Sequence, residues 1–427
     1  MNHHSQSSWR PVLTDDLRSE ADLVVTQITD TLRDAKGEGF SLARELPGRA
    51  LLYAYRDASR GSDEHREYMT AALFAAMDDL SRLPVDEPVP PGLFEGFTGL
   101  AWTLQHTLPL YGIDDDPNAD FDASLTSLLD VPSWLGSFDL VYGVAGIGIY
   151  ALERLPHPAA HELVTHCVRL LEGLCGEDRD GVYWFTPPEL LPVQKRASSP
   201  NGRFDFGVAH GAMGVIGFLA QACARDVGGP SARRLLTKSV EWIMSRRLTQ
   251  SAAQRYPLFI NERGSTTVFG GPYWGWCYGD LGLSAVLCAA ARAAHRPDWL
   301  TEAEAIATAS AEKLRRAPDD VGIAEPGLCH GAAGVAHLFN RLFQATGQTL
   351  FRDVSCEWFR YTLNSRVAGG PFGGFLVTAL DRDQGRFTKM SMAGFLEGSI
   401  GIGLALISAM SDVVPRWDRL LLLDGMP

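Results

Sequence analysis

A repeated glycine motif constrains the fold of this chain more than any other feature. The pattern Gly-x-x-Gly, followed by an apolar run, occurs six times, at Gly96/Gly99, Gly143/Gly146, Gly211/Gly214, Gly279/Gly282, Gly331/Gly334 and Gly398/Gly401. The first glycines of successive copies are 47, 68, 68, 52 and 67 residues apart. A degraded seventh copy begins at Glu45 and leads through Gly48 into the apolar Ala50–Tyr53. Such a repeat indicates a solenoid or a closed ring of similar units.

Two kinds of segment alternate between the glycine motifs. Each motif leads into a segment that is rich in Ala and Gly and apolar on most faces, such as Leu281–Ala294, which is typical of an inner helix packed on all sides. Amphipathic segments such as Ser231–Leu248 lie between the motifs and predict outer helices. One inner and one outer helix per repeat predicts an all-α fold, an α/α toroid of six to seven repeats. An open helical solenoid is the alternative.

No segment has the composition of an interdomain linker. We therefore expect residues 1–427 to form a single domain, with residues 1–40 as an N-terminal extension or as the outer helix of the first repeat. The long connections that precede glycine motifs are Cys175–Gly207, Leu248–Trp276, Ala317–Leu328 and Arg366–Ala393. They should gather at one end of the ring, where they would form the mouth of a central cavity or simply cover helix ends.

Composition excludes several classes of protein. The formal net charge of -13 argues against nucleic acid as the main partner, because phosphate binding needs clustered Lys and Arg. No apolar run is long enough to predict a membrane span, and the polar start does not resemble a secretory signal. The cysteines number seven, which is odd. A disulfide framework is therefore not expected, and reduced thiols in the cytoplasm are the better interpretation.

Two short segments predict a metal site. They are Trp276-Cys277-Tyr278-Gly279 and Cys329-His330-Gly331. Both cysteines stand two residues before the first glycine of their motif, and equivalent positions of adjacent repeats in a ring face the same central space. Two thiolates and one imidazole suit zinc with a vacant fourth position. We therefore expect Cys277, Cys329 and His330 to bind Zn²⁺.

Two further residues are candidates for proton transfer. His210 stands one residue before the first glycine of its motif, aligned with Tyr278 and His330. It is either a core or supporting histidine or a general acid/base that faces the metal, since imidazole titrates near neutral pH. Asp139 lies between Phe138 and Leu140, where a carboxylate is costly to bury. It is either a helix N-cap or a catalytic carboxylate or partner of a histidine.

At these residues the chain resembles the lanthionine synthetase C-like family, the lanthipeptide cyclases. The matching pieces are Trp276-Cys277-Tyr278-Gly279, Leu328-Cys329-His330-Gly331, Ala209-His210-Gly211 and the series of glycine pairs. The resemblance extends from about Ser41 to Ile407 and implies an α/α toroid, in agreement with the repeats. Because the chain has no room for an attached dehydratase or kinase domain, it resembles the stand-alone cyclases.

The resemblance also implies a function. Cys277, Cys329 and His330 would be the zinc ligands, and His210, Asp139 and Tyr278 would be catalytic residues. The substrate would be a dehydrated precursor peptide, leader plus core. Its cysteine thiolate would add to dehydroalanine or dehydrobutyrine to form a (methyl)lanthionine ring. A dehydratase and an exporter are the implied partners.

One position departs from the family pattern. Bacterial cyclases of the family often carry an arginine four positions before the first zinc cysteine, where this chain has Tyr273, and the nearest upstream arginine is Arg263. Either Arg263 substitutes for it or the enolate is stabilised differently.

Two other functions stay open. One is a non-catalytic zinc protein of the same fold that binds thiols or glutathione, or acts as an adaptor. The other is a different toroid enzyme, a prenyltransferase or a glycosidase. A glycosidase would use carboxylates such as Asp139, Glu95 and Glu397, although the two glutamates are better explained as residues at the start of helices.

Overall fold

The computed structural model describes residues 9–84, 86, 88–249, 254–261, 266–267, 273–315, 321–381 and 385–424. Within these ranges the α-helices are α1 Asp15–Asp34, α2 Leu46–Arg60, α3 Arg66–Ser81, α4 Thr98–Thr107, α5 Ala119–Leu129, α6 Val144–Glu153, α7 Pro158–Leu174, α8 Val193–Arg196, α9 Ala212–Ala224, α10 Gly229–Ser245, α11 Asp280–Ala293, α12 Pro297–Leu314, α13 Ala332–Thr346, α14 Thr349–Asn364 and α15 Ser399–Met410. The strands are β1 Gly176–Asp178, β2 Gly181–Tyr183, β3 Arg203–Asp205, β4 Phe259–Asn261, β5 Thr266–Thr267, β6 Val377–Asp381 and β7 Arg386–Met390.

Seven of the described helices form a closed inner ring. These helices are α2, α4, α6, α9, α11, α13 and α15; each packs against the next, and α15 packs against α2. Their apolar sequences explain this position, since every residue of α15 is buried. The outer helices are α1, α3, α5, α7, α10, α12 and α14. The predicted α/α toroid is therefore confirmed, and the degraded copy at Glu45 supplies the seventh inner helix.

The ring closes through helix α1. Although α1 lies near the start of the chain, it packs mainly against α15, near the end of the chain. Its buried face includes Val24, Val25 and Ile28. The N-terminal part of the chain thus supplies α1 as the outer helix that covers α15, the last inner helix. This contact joins the two ends of the toroid.

The glycine motifs are tight turns at the start of the inner helices. Gly279 has φ of 103°, and a Cβ there would collide with the carbonyl oxygen of Tyr273. Backbone hydrogen bonds also join neighbouring turns: the Val208 amide donates to the Cys277 carbonyl at 2.8 Å, the Trp276 amide to the Cys329 carbonyl at 2.8 Å, and the Leu328 amide to the Leu396 carbonyl at 2.9 Å. These bonds fix the turns that carry both cysteines relative to each other.

The strands lie in the long connections that precede the motifs. Strand β1 pairs with β2, β3 with β4 and β4 with β5, and β6 with β7, always antiparallel. In the central sheet Arg203 is opposite Asn261, and Asp205 is opposite Phe259. This sheet therefore positions residues of two separate connections beside the turns of α9 and α11.

The C-terminal segment, residues 416–424, fills the interior of the ring. Asp418 is fully buried and accepts hydrogen bonds from Arg341 at 2.5 and 2.6 Å and from His337 at 2.8 Å. Leu422 lies against Gly217 of α9, and the Trp276 indole donates to the Leu421 carbonyl at 2.8 Å. The segment thus contacts several inner helices at once and supports the turn that carries Cys277.

Candidate active site and metal centre

A cavity of about 390 Å³ lies at the end of the ring where the glycine turns gather. Its floor includes the equivalent residue of all seven repeats, two positions before the first glycine or before its counterpart Glu45: Ala43, Phe94, Val141, Ala209, Cys277, Cys329 and Leu396. The next residue along the chain lines the cavity in six of the seven repeats, namely Glu95, Tyr142, His210, Tyr278, His330 and Glu397. The repeat therefore brings residues that are distant in sequence to one small volume.

Cys277, Cys329 and His330 converge within this cavity. Their candidate ligand atoms all lie within 4.8 Å of one another. A tetrahedral zinc ion with bonds of about 2.0–2.3 Å needs ligand atoms about 3.3–3.8 Å apart, so small side-chain adjustments suffice. The donor set also fits, because two sulfurs and one imidazole nitrogen would leave one of the four positions of a zinc ion for a further ligand. These residues could hold a zinc ion with the open position that catalytic zinc sites have.

The same three groups polarise one another. A hydrogen bond from Cys329 lowers the pKa of Cys277 well below its ordinary value, against the effect of burial and with help from His330. The same hydrogen bond, together with burial, raises the pKa of Cys329 well above its ordinary value. Hydrogen bonding to Cys277 raises the pKa of His330. The cluster therefore favours a thiolate at Cys277 beside a protonated His330 imidazole. A bound metal cation would take the place of the imidazole proton.

His210 lines the cavity and forms a hydrogen bond with Asp139. The distance from Nδ1 of His210 to Oδ2 of Asp139 is 2.9 Å. Asp139 is buried, and its Oδ1 accepts a 2.7 Å bond from the Tyr142 amide. The N-cap residue of α6 is Gly143, so Asp139 acts as the partner of His210 rather than as the cap. With Nδ1–H directed at a carboxylate, Nε2 of His210 is the atom left for proton transfer.

The hydroxyl of Tyr278 is occupied by a buried ion pair. It donates to Oδ2 of Asp205 at 2.9 Å and accepts from Arg203 at 3.3 Å. Arg203 and Asp205 lie 2.5 Å apart and are almost fully buried. Burial and the Asp205 carboxylate raise the pKa of Tyr278 well above its ordinary value, although Arg203 opposes this. The ring of Tyr278 lines the cavity, while its only proton is committed to Asp205.

Sequence reasoning missed Arg203 and Asp205. Both belong to β3, and residues two apart in a strand share one face. Two opposite charges at that spacing, directly before the turn that carries His210, are the signal that could have found them. The sequence does not show that β3 lies beside Tyr278, so this pair of charges could not be assigned to the site.

Other side chains complete the cavity. Tyr273 stands where the family often has arginine, and its ring centroid lies 6.2 Å from that of Tyr278 and 6.3 Å from that of His330. Arg263 lies outside the described residues. Glu95 and Glu397 precede helices, as expected, and both also line the cavity.

Three comparisons with known proteins bear on this arrangement. The family described as "Lanthionine synthetase C-like protein" matches residues 38–422. A solved structure described as "Nisin cyclase" matches with a TM-score of 0.73 and 18% sequence identity, covering 96% of this chain and 98% of that chain. At this identity the likeness shows the fold. A comparison with curated proteins finds no significant match.

None of the described helices has the length and apolar character that crossing a membrane requires. The family match spans most of the chain and includes both cysteine motifs, the His210 motif and every glycine turn. The resemblance stated on those residues is therefore confirmed, and the chain belongs to the lanthionine synthetase C-like family.

Proposed function

We propose that this protein is a zinc-dependent lanthipeptide cyclase that acts in the cytoplasm on a dehydrated precursor peptide. The observation that carries the proposal is the presence of two elements in one cavity. One is the cluster of Cys277, Cys329 and His330, whose ligand atoms lie within 4.8 Å of one another. The other is the pair of His210 and Asp139. A thiol-activating centre beside a proton donor is what addition of a thiol to a dehydroamino acid requires.

The residues divide the chemistry between them. Cys277, Cys329 and His330 would hold zinc, which supplies a position at which a substrate thiol is bound as thiolate. The substrate sulfur then bonds to Cβ of dehydroalanine or dehydrobutyrine, and the π electrons move towards the carbonyl oxygen to give an enolate. His210, oriented by Asp139, delivers a proton to Cα from Nε2. The product is a thioether, and no redox change occurs.

The cavity also supports a peptide as the substrate. Its volume of about 390 Å³ accommodates a few residues around a cysteine and a dehydroamino acid, while the rest of a peptide would remain outside. The cavity lining includes the apolar Phe94, Leu258, Phe259 and Leu396. By resemblance to the family, we propose a dehydratase upstream of this protein and an exporter downstream of it.

Zinc content and cyclisation should be measured on the same preparations. We expect about one zinc per chain in the wild type, and loss of both zinc and cyclisation in Cys277→Ala and Cys329→Ala. Cyclisation is followed by treating a dehydrated peptide with a thiol-alkylating reagent after the reaction. Mass spectrometry then shows how much peptide is protected, because a cysteine in a thioether ring is not alkylated. Cys223→Ala is the matched control, since Cys223 lies near the far end of α9 and outside the cavity.

Two outcomes contradict the proposal in different ways. Full cyclisation by Cys329→Ala would show that the cluster is not the reaction centre. Zinc binding without cyclisation of any dehydrated peptide, together with tight binding of an unmodified thiol, would instead indicate a non-catalytic thiol-binding protein. In that case replacement of His210 and Asp139 should leave thiol binding unchanged.

A further inference from the structure

The cavity is lined by two side-chain cations of different standing, Arg203 and Lys195. Arg203 is neutralised by Asp205 at 2.5 Å. Lys195 also lines the cavity, but among the residues that the structure describes it has no ion-pair partner. A partly buried ammonium group without a carboxylate is costly unless a ligand supplies the negative charge. Among the described residues, the charge of Lys195 is therefore available to a molecule bound in the cavity.

Lys195 is held beside the metal centre by local contacts. Its Nζ lies 5.5 Å from the centroid of the Tyr278 ring, a cation–π geometry. Arg196 fastens the short helix α8 through hydrogen bonds of 3.0 Å to the carbonyl oxygens of Leu191 and Glu189. Tyr278 is itself fixed by the buried Arg203–Asp205 pair. The ammonium group therefore lies over the fixed aromatic ring of Tyr278, the residue that follows Cys277 in the chain.

Lys195 shares one cavity with the sulfur cluster. Cys277, Cys329 and His330 line this cavity together with Lys195 and the Tyr278 ring on which its ammonium group lies. A ligand whose sulfur is bound at the cluster would extend its next few atoms into the cavity that Lys195 also lines. An oxygen three carbons from that sulfur is a candidate contact.

The proposed reaction creates a negative oxygen at that separation. When the thiolate sulfur bonds to Cβ, the Cα–Cβ π pair becomes the Cα–C π bond, and the carbonyl π pair moves onto oxygen. The resulting enolate oxygen is three carbons from the sulfur, through Cβ, Cα and the carbonyl carbon. It persists until Cα takes a proton, and stabilisation of such a developing charge lowers the barrier.

We propose that Lys195 stabilises this enolate oxygen and is a further catalytic residue, with the Tyr278 ring as its platform. The inference rests on the proposed cyclase function. Arg203 cannot take this role without giving up Asp205, so it is a positioning residue that acts through Tyr278. The chain thus places a lysine from α8 where the enolate needs a positive charge, although position 273 carries tyrosine.

The first experiment measures single-turnover cyclisation of a synthetic peptide that contains one dehydroalanine and one cysteine. We compare the wild type with Lys195→Met, Lys195→Arg and the exposed control Lys238→Met. We expect Lys195→Met to lower the rate at saturating peptide about 10-fold or more, and Lys195→Arg to retain most of it. Zinc content and apparent peptide affinity should stay near wild type. Equal rates for the wild type and Lys195→Met would overturn the proposal, as would an effect confined to peptide affinity.

The second experiment needs no turnover. 3-Mercaptopropionate carries a negative oxygen three carbons from sulfur, as the enolate does, and 3-mercaptopropionamide is its neutral counterpart. Binding of both thiols is measured by the thiolate absorption of cobalt-substituted protein. We expect the wild type to prefer the carboxylate about tenfold, Lys195→Arg to keep this preference and Lys195→Met to lose it. An unchanged preference in Lys195→Met would contradict the role of Lys195.

The two experiments separate the inference from the function on which it rests. If the wild type fails to cyclise any dehydrated peptide, the cyclase proposal fails. Loss of the carboxylate preference in Lys195→Met would then still support Lys195 as the partner of a negative oxygen on a bound thiol. If the wild type cyclises and Lys195→Met matches it in both measurements, only the inference fails.

Discussion

Nδ1 of His210 and Oδ2 of Asp139 lie 2.9 Å apart, although the two residues belong to neighbouring repeats and are 71 positions apart in the chain. The second carboxylate oxygen is held by the Tyr142 amide, and the Tyr142 ring stacks on His210 with a centroid separation of 5.4 Å. The imidazole is therefore fixed both in orientation and in tautomer. Under the proposed function, His210 presents Nε2 to a single carbon atom, and this task requires both constraints.

Replacement of this pair should reduce cyclisation without loss of metal. We expect Asp139→Asn to lower the single-turnover rate about 10- to 100-fold, and His210→Asn to lower it at least as far, because general acid catalysis contributes about 10²–10⁴. Zinc content should remain that of the wild type. Asp226→Asn, at an exposed aspartate outside the cavity, is the control. A wild-type rate in Asp139→Asn would show that His210 needs no carboxylate partner.

The buried ion pair beneath Tyr278 should dominate local stability. Arg203→Met leaves the Asp205 carboxylate buried without its cation, so we expect a loss of about 3–5 kcal/mol in the free energy of unfolding. The double variant Arg203→Met/Asp205→Leu should recover part of this loss, since it removes the uncompensated charge. Urea denaturation of both variants and of Asp205→Leu gives the coupling energy. Strictly additive losses would mean that the pair is not coupled.

His337 should make stability depend on pH. Burial lowers the pKa of His337, despite its hydrogen bond to Asp418. In the unfolded chain this histidine has an ordinary pKa of about 6.5, so it binds a proton at a pH at which the folded chain does not. The free energy of unfolding therefore falls as the pH drops below about 6.5. In His337→Gln this decrease should be smaller. His161→Gln, at an exposed histidine of α7, should behave like the wild type in urea titrations from pH 7.5 to pH 5.

Removal of zinc should destabilise the protein through the two cysteine turns. Binding to the folded state alone adds about 2.7 kcal/mol when free zinc is 100 times its dissociation constant. We expect a chelator to lower the melting temperature of the wild type and of Cys223→Ala, and added zinc to restore it. Cys329→Ala should melt at one temperature with or without zinc. An equal response of Cys329→Ala would place the stabilising metal elsewhere.

The repeat made much of this architecture predictable from sequence. Cys277 and Cys329 share one position of the motif, and closure of the ring alone brings equivalent positions together. His210 is predictable in the same way, because it aligns with Tyr278 and His330. The periodicity of the sequence thus predicts the inner ring and the residues that form the floor of the cavity.

Residues outside the repeat were not predictable in this way. Lys195, Arg203 and Asp205 come from a connection without periodicity, and the place of Arg203 and Asp205 depends on the pairing of β3 with the distant β4. The packing of α1 on α15 is likewise a contact between chain ends that no local pattern encodes. Residues 416–424 follow the last motif, and only the ring built by all preceding repeats creates the space that they fill.

That C-terminal segment also gives the toroid the shape of a cup rather than a tube. With Asp418 pinned to Arg341 and Leu421 bonded to Trp276, the described chain leaves the floor of the cavity backed by protein. Under the proposed function, a peptide that reaches the cysteine cluster would have to leave on the side of the cavity by which it entered. A substrate with several cysteines would therefore be processed in separate visits, one ring at each, and not drawn continuously past the metal.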